Sequence, residues 1–214
     1  MNKVTKRKKT KSASNASTAT AREDLMKAAR HQFALKGLSG TSIRNIASAA
    51  SINSSMISYY FKGKQGLYIE CLKEIGKKQL EMSQNILTPP KNRQELEVRL
   101  GLFIDSIFDL FLNDRDAGLI IIREYDRHHS PGEKIFTSTL LKVFDLLIDF
   151  IKSSQKSKLI SKTKDPFILA SLFFGALVNM MRMDHIKEKH YDFSIKKTGK
   201  RNKVKAHLIG MIVN

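Results

Sequence analysis

Apolar residues recur at intervals of three and four along most of this chain, and no stretch alternates with period two, so the pattern predicts helices throughout and no strand. Residues 21–36 carry Leu25, Ala28, Ala29 and Phe33 on one face, and Gly37 ends that run. A short helix follows, opened by Thr41 or Ser42 as a cap, with Ile43, Ile46, Ala47 and Ala50 at helical spacing. Ser51-Ile52-Asn53 makes a turn. A second short helix, 54–61, buries Ile57 and Phe61 and leaves Ser54, Ser55, Ser58 and Tyr59 facing outward. Lys64 opens a long helix that runs to about residue 86, where Pro89-Pro90 stops it.

Further on, Leu96, Leu100, Phe103, Ile104, Ile107, Phe108 and Phe111 give the clearest periodicity of the chain. Helices are predicted over 116–127, 132–154, 165–187 and 199–213, with Ser130-Pro131-Gly132 as a break. The total is about nine helices, an all-α protein. The stretch 167–181 is apolar nearly all round, and such a helix needs cover on both faces. Ser171, Gly175 and Asn179 make a stripe where a second backbone could approach, and a two-fold partner is the simplest cover for the outer face.

Two short helices joined by a tight turn, the second with a polar outward face, form a helix-turn-helix that fits the DNA major groove. Such a unit needs donors and cations at phosphates and polar side chains at base edges. Thr41 and Ser42 offer donors at the start of the first short helix, and Lys64 brings its charge to the start of the long one. Arg44 suits guanine O6 and N7, and Met56 suits thymine methyls. Ser54, Ser55 and Ser58 line the exposed face, and Tyr59 and Tyr60 can bond backbone or stack on sugars. Lys64 and Tyr60 carry more weight than any single serine.

The same stretch resembles the DNA-binding segment of TetR-family repressors. The family pattern T-x-x-x-I-A-x-x-A-G-V-S-x-x-x-[LI]-Y-x-x-F-x-x-K-E-x-L is met by Thr41/Ser42, Ile46-Ala47, Ala50, Ile52, Ile57, Phe61, Lys64 and Leu67. Ala28, Ala29, Phe33, Gly37 and Leu38 resemble the family's lead-in. The chain departs at Ser51, where the turn glycine is usual, at Ser58 for a tyrosine, and at Gln65 for a glutamate. The specific motif covers about residues 22–72; beyond it the likeness is architectural.

The resemblance implies a basic tail (1–20), a three-helix DNA-binding domain (21–63) and a larger helical ligand-binding and dimerisation domain (64–214). It implies a homodimer through the last two long helices, a double-stranded DNA operator and a small-molecule effector. The usual mode is a repressor whose effector moves the long helix after the helix-turn-helix. It also implies a pocket among the helices rich in Phe and Met. Candidate lining residues are Phe103, Phe108, Phe144 and Phe174, with Arg123, Tyr125, Asn179 and Arg182 as polar neighbours.

Charge sharpens this picture. The formal net charge is +18 over 214 residues. Residues 1–21 hold six Lys/Arg and no acid, and residues 22–78 hold ten basic and four acidic side chains. Two-thirds of the excess therefore lies at the helix-turn-helix and its leading tail, which favours a polyanionic partner. The tail is too polar to order itself alone; its KRKK run either tracks phosphates or stays solvated. A helical protein that binds nucleic acid without sequence preference through this tail is the alternative reading, and an enzyme of unrecognised type is a third.

No glycine-rich phosphate loop, G-x-S-x-G or H-E-x-x-H is present, so no enzyme and no cofactor is expected. Glu124, Asp126, His128 and His129 lie close in sequence, but adjacent histidines on a helix point about 100° apart. A helix C-terminus that favours cations accounts for them without a metal. Cys71 is the only cysteine and sits at a core position, residues 1–21 lack the apolar run of a signal peptide, and 167–181 is short for a membrane span. A cytoplasmic protein is expected.

Overall fold

The structure, a computed structural model, describes residues 5–125 and 129–214, with side chains from residue 20 onward in the first helix. Eleven helical segments and no strand occur among the described residues. They divide into two compact units, Met1–Leu72 and Lys73–Asn214.

The first unit holds α1 (Thr5–Gly40), α2 (Ile43–Ala49), α3 (Ser55–Phe61) and the start of α4 (Lys64–Ile86). Its core is Leu25, Ala29, Phe33, Ile46, Ile57, Phe61, Leu67, Tyr68 and Leu72, all buried. Phe33 and Tyr68 meet edge to face with ring centres 5.1 Å apart. Cys71 belongs to this core, 4.0 Å from the Met26 sulfur. The helix α1 reaches back to Thr5, where composition predicts a tail without structure of its own. Residues 5–20 contain neither glycine nor proline, so nothing in them interrupts the helix. Residues 1–4 of the tail lie outside the described residues.

Turn chemistry follows the sequence closely. Ser51 takes φ 55, the left-handed conformation that a glycine would adopt freely. Its N–H donates to Ser48 O and that of Ile52 to Ala47 O, which closes the end of α2 in a Schellman motif. Gly66 stands where an added Cβ would lie 1.8 Å from Phe61 O, so only glycine lets the first turn of α4 abut the end of α3.

The second unit contains the rest of α4 and α5 (Arg93–Leu112), α6 (Arg115–Tyr125), α7 (Glu133–Ser138), α8 (Leu140–Lys156), α9 (Pro166–Arg182), α10 (Asp184–Tyr191) and α11 (Thr198–Val213). Two helices of the expected nine are each broken in two. Thr139 separates α7 from α8 at φ −127, ψ −70, with its hydroxyl donating back to Ile135 O at 2.6 Å. Met183 separates α9 from α10, which bend by 67°. The bend turns Asp184 inward, where its carboxylate accepts from Ser194 Oγ (2.9 Å) and Ile195 N (2.8 Å).

Phe103, Phe108, Phe150 and Phe173 are buried at the centre. Burying each of these rings fully contributes about 1.5–3 kcal/mol. The helix ends are tied. Asn92 caps α5 by accepting from Glu95 N, and Glu95 reaches back to Lys91 N. Asp165 caps α9 with Pro166 in its first turn. Arg93 donates to Val213 O, and Lys164 to Met211 O and Ile212 O, at the C-terminus of α11. Among the described residues no single helix is long and apolar enough to cross a membrane.

Candidate nucleic-acid interface and ligand cavity

In the first unit Ile46 and Ala47 of α2 and Ile57 and Phe61 of α3 are buried, while the polar residues between them are exposed. Ser42 caps α2, its Oγ accepting from Asn45 N at 3.1 Å. Arg44 is exposed beside it. Asn53 Oδ1 accepts from both the N–H and the hydroxyl of Ser55 and so fixes the start of α3. Ser54, Ser55, Ser58 and Tyr59 are exposed, Tyr59 at 76%, and Met56 is half-buried. Arg44 on α2 and Ser54, Ser55, Ser58 and Tyr59 at α3 are thus all open to solvent.

Three residues singled out in the sequence sit differently. Thr41 is buried, and its hydroxyl donates to Gln32 O and Gly37 O, tying the end of α1 instead of facing a phosphate. The Tyr60 hydroxyl is buried and has no hydrogen-bond partner. Tyr60 follows Ile57 by three positions, which turns its ring toward the inner face. Lys64 is half-buried, and its Nζ donates to Thr41 O at 2.8 Å, so the ammonium locks the start of α4 to the start of α2. Arg22 stacks over the Phe61 ring at 5.1 Å and pairs with Glu70 at 3.3 Å.

Nearly the whole of the motif, residues 25–71, is matched by the model of bacterial regulatory proteins of the tetR family. Residues 25–71 therefore carry a TetR-family DNA-binding segment. The chain is 29% identical over 137 residues to a probable HTH-type transcriptional regulator, YttP, of Bacillus subtilis. That match covers 60% of this chain and 63% of the relative, so it spans less than two-thirds of the relative's length. Among solved structures it is similar to the transcriptional regulator FadR from Bacillus subtilis in complex with stearoyl-CoA. The TM-score is 0.72 at 19% identity, over 89% of this chain and 98% of that one. The regulator AibR, in complex with isovaleryl coenzyme A and operator DNA, gives 0.70 at 16% identity over 90% and 98%. These distant likenesses show that the chain shares the all-helical fold of those regulators along most of its length.

A cavity of about 330 Å³ lies in the second unit. Its walls come from Ile107, Leu110 and Phe111 of α5, Ile121, Ile122 and Tyr125 of α6, Phe136 of α7, Leu140, Val143 and Phe144 of α8, and Phe167, Phe174, Val178 and Met181 of α9. Only Gln79, Ser171 and Tyr125 bring side-chain polar atoms, and no charged side chain lines it among the described residues. Of the eight candidate ligand residues, Tyr125, Phe144 and Phe174 line this cavity.

The other five predicted ligand residues are placed elsewhere. Phe103 and Phe108 are fully buried in the core, Phe103 stacking on Phe173 at 6.3 Å, because α9 packs directly over that part of α5. Arg123 and Arg182 are exposed. Asn179 is exposed too, accepting from Lys187 Nζ at 2.8 Å. Desolvation of that ammonium lowers the Lys187 pKa from its ordinary value. Of the residues weighed as metal ligands, Asp126 and His128 lie outside the described residues, and Glu124 is buried, accepting from the Ser130 hydroxyl.

Sequence reasoning passed over Gln79. Its signal is register: Leu72, Ile75, Gln79, Ser83 and Ile86 follow at intervals of three and four, so an amide stands at a core position. Gln79 is 2% exposed.

Proposed function

We propose that the protein is a homodimeric repressor that reads a two-half-site DNA operator with α2 and α3 and is released by a small apolar effector held in the α4–α9 cavity. The observation that carries this reading is the exposed face of Arg44, Ser54, Ser55, Ser58 and Tyr59 on a TetR-family helix-turn-helix. Arg44 supplies base contact, Tyr59 backbone contact, and the small serines allow close approach of α3 to the groove floor. Lys64 supports that face by holding α4 against α2, and its charge adds to the local positive field.

The exposed side of α9 supports the dimer. Phe167, Ile168 and Leu172 are each more than half exposed, and nothing lies within 4 Å of a Cβ added at Gly175. A second copy that packs α9 and α11 against their equivalents covers this surface, and two recognition helices then meet successive major grooves. FadR and AibR carry acyl-CoA molecules in these complexes, and AibR carries operator DNA as well. By analogy the effector here has an apolar part that fills the cavity. It acts by a coupling free energy: it favours a conformation that holds α4, and hence the helix-turn-helix, away from the DNA-binding arrangement. Such a regulator works in the cytoplasm and needs no catalytic step.

The test is to recover DNA fragments retained by the purified protein from a random pool and to footprint them. Two protected half-sites one helical turn apart, lost on Arg44→Ala or Tyr59→Ala, are expected. Uniform protection with no recovered consensus overturns this reading in favour of nonspecific binding through the basic tail.

A further inference from the structure

Gln79 is 2% exposed, and its amide hydrogen-bonds through its nitrogen alone. Its Nε2 lies 3.4 Å from Ser83 Oγ and 3.4 Å from Ser106 Oγ. Both serine protons are already committed, Ser83 donating to Gln79 O and Ser106 to Phe103 O, each at 2.8 Å. Those serines have only lone pairs to offer, so the group turned toward them is the NH₂, and the amide orientation is fixed by its neighbours. Oε1 is left on the other side of a side chain that lines the cavity, and no described residue donates to it. The second inner polar group behaves alike: Ser171 donates its proton to Phe167 O at 2.7 Å and presents only acceptor lone pairs. Tyr125, which has a free-standing hydroxyl donor to offer, is 62% exposed.

Apart from the exposed Tyr125 hydroxyl, the cavity lining among the described residues therefore offers acceptors, no uncommitted donor and no charge. We infer that the buried part of the effector carries a neutral hydrogen-bond donor, a hydroxyl or an N–H, which Gln79 Oε1 receives while the Phe and Ile walls take an apolar body; this rests on the reading of the cavity as the effector site. A carboxylate is excluded because it would face the Gln79 oxygen without a cation, and an ammonium because it would be stripped of water without an anion. A carbonyl is excluded as the group received by Gln79 because it brings a second acceptor to an acceptor. Size limits the body. At roughly 30 Å³ per water-sized group, a cavity of about 330 Å³ holds about eleven non-hydrogen atoms.

A matched series of phenylbutane probes tests this by calorimetric titration: butylbenzene, 4-phenylbutan-1-ol, 4-phenylbutan-2-one, 4-phenylbutanoate and 4-phenylbutylammonium. Wild-type protein should bind the alcohol at least tenfold more tightly than the ketone or either ion. Gln79→Leu should erase the alcohol's advantage and leave butylbenzene within twofold of wild type. Ile121→Trp, which fills the cavity, should remove binding of every probe. If the wild type holds alcohol and ketone equally, or Gln79→Leu keeps the preference, the role of Gln79 is overturned while the cavity remains the binding site. If neither butylbenzene nor the alcohol binds wild type, or both bind the Ile121→Trp variant unchanged, the cavity reading itself fails and the inference falls with it. The comparison of alcohol with ketone uses the wild-type protein, so it stands even if a variant does not fold.

Discussion

Gly76→Ala should destabilise the second unit, although alanine is the better helix former. A Cβ at Gly76 would lie 2.2 Å from Thr139 Oγ1 and 2.8 Å from Thr139 Cβ. Rotating the threonine does not relieve the contact, because its Cβ stays and its hydroxyl would leave Ile135 O, which it holds at 2.6 Å. Forcing a methyl into so close a contact costs about 1–3 kcal/mol, and losing the hydroxyl bond adds about 1 kcal/mol. Alanine returns about 1 kcal/mol of helix propensity. The net expectation is a loss of about 1–3 kcal/mol, or a fall of about 1 M in the urea midpoint at ordinary slopes. Thr139→Gly removes every atom of the clash, and Thr139 already sits at a break between helices. In the double variant the two effects should therefore couple favourably by about 1–3 kcal/mol. Urea unfolding followed by helical circular dichroism, for the two single variants and the double one, measures each corner of this cycle. A Gly76→Ala protein as stable as wild type, or a cycle with no coupling, would show that α4 and the α7–α8 junction do not meet as closely as 2.2 Å implies.

Ser51→Gly should stabilise the first unit by about 0.5–1 kcal/mol, since φ 55 strains a side chain and glycine does not; an unchanged or lower melting temperature refutes the Schellman assignment. Lys64→Ala should weaken operator and random DNA by similar factors and also lower thermal stability, because the Nζ–Thr41 O tie is lost; loss of DNA affinity at unchanged stability would mean that the lysine acts at a phosphate instead. Gly175→Glu puts a charge on the exposed apolar side of α9, so the variant should sediment as a monomer with intact helicity and lose operator binding; a dimer that binds normally places the interface elsewhere. The Glu95 carboxyl is held below its ordinary pKa, first by the Lys91 N–H and then by Arg99, so its contribution is present above the unfolded-state value and lost as pH falls through the lowered one. Glu95→Gln should flatten the acid limb of the stability profile, and identical limbs in the two proteins would refute this.

Helical periodicity told which face of each segment is buried, and the caps and turns were legible because their chemistry is local. Ser42 and Asn53 stand one or two residues ahead of the helices they start. Breaks that depend on distant partners were not legible. Nothing within 132–154 announces that Thr139 leaves the helix, since the cause includes Gly76 some sixty residues away. The binding residues divide along the same line. Tyr59 and Tyr60 are neighbours about 100° apart on α3, and their spacing from Ile57 already decides which one faces out. Phe103 and Phe144 cannot be separated in that way, because both lie on apolar faces at helical spacing. Whether such a ring packs into the core or lines a cavity depends on the atoms opposite it. Phe173 fills the space beside Phe103, whereas Phe144 has open volume on one side. A pattern of apolar positions carries no record of that difference, but a polar residue in core register does. A buried amide such as Gln79 must be satisfied by the protein or by something the protein binds. Of the residues around the cavity, it is the one whose identity points from sequence to ligand.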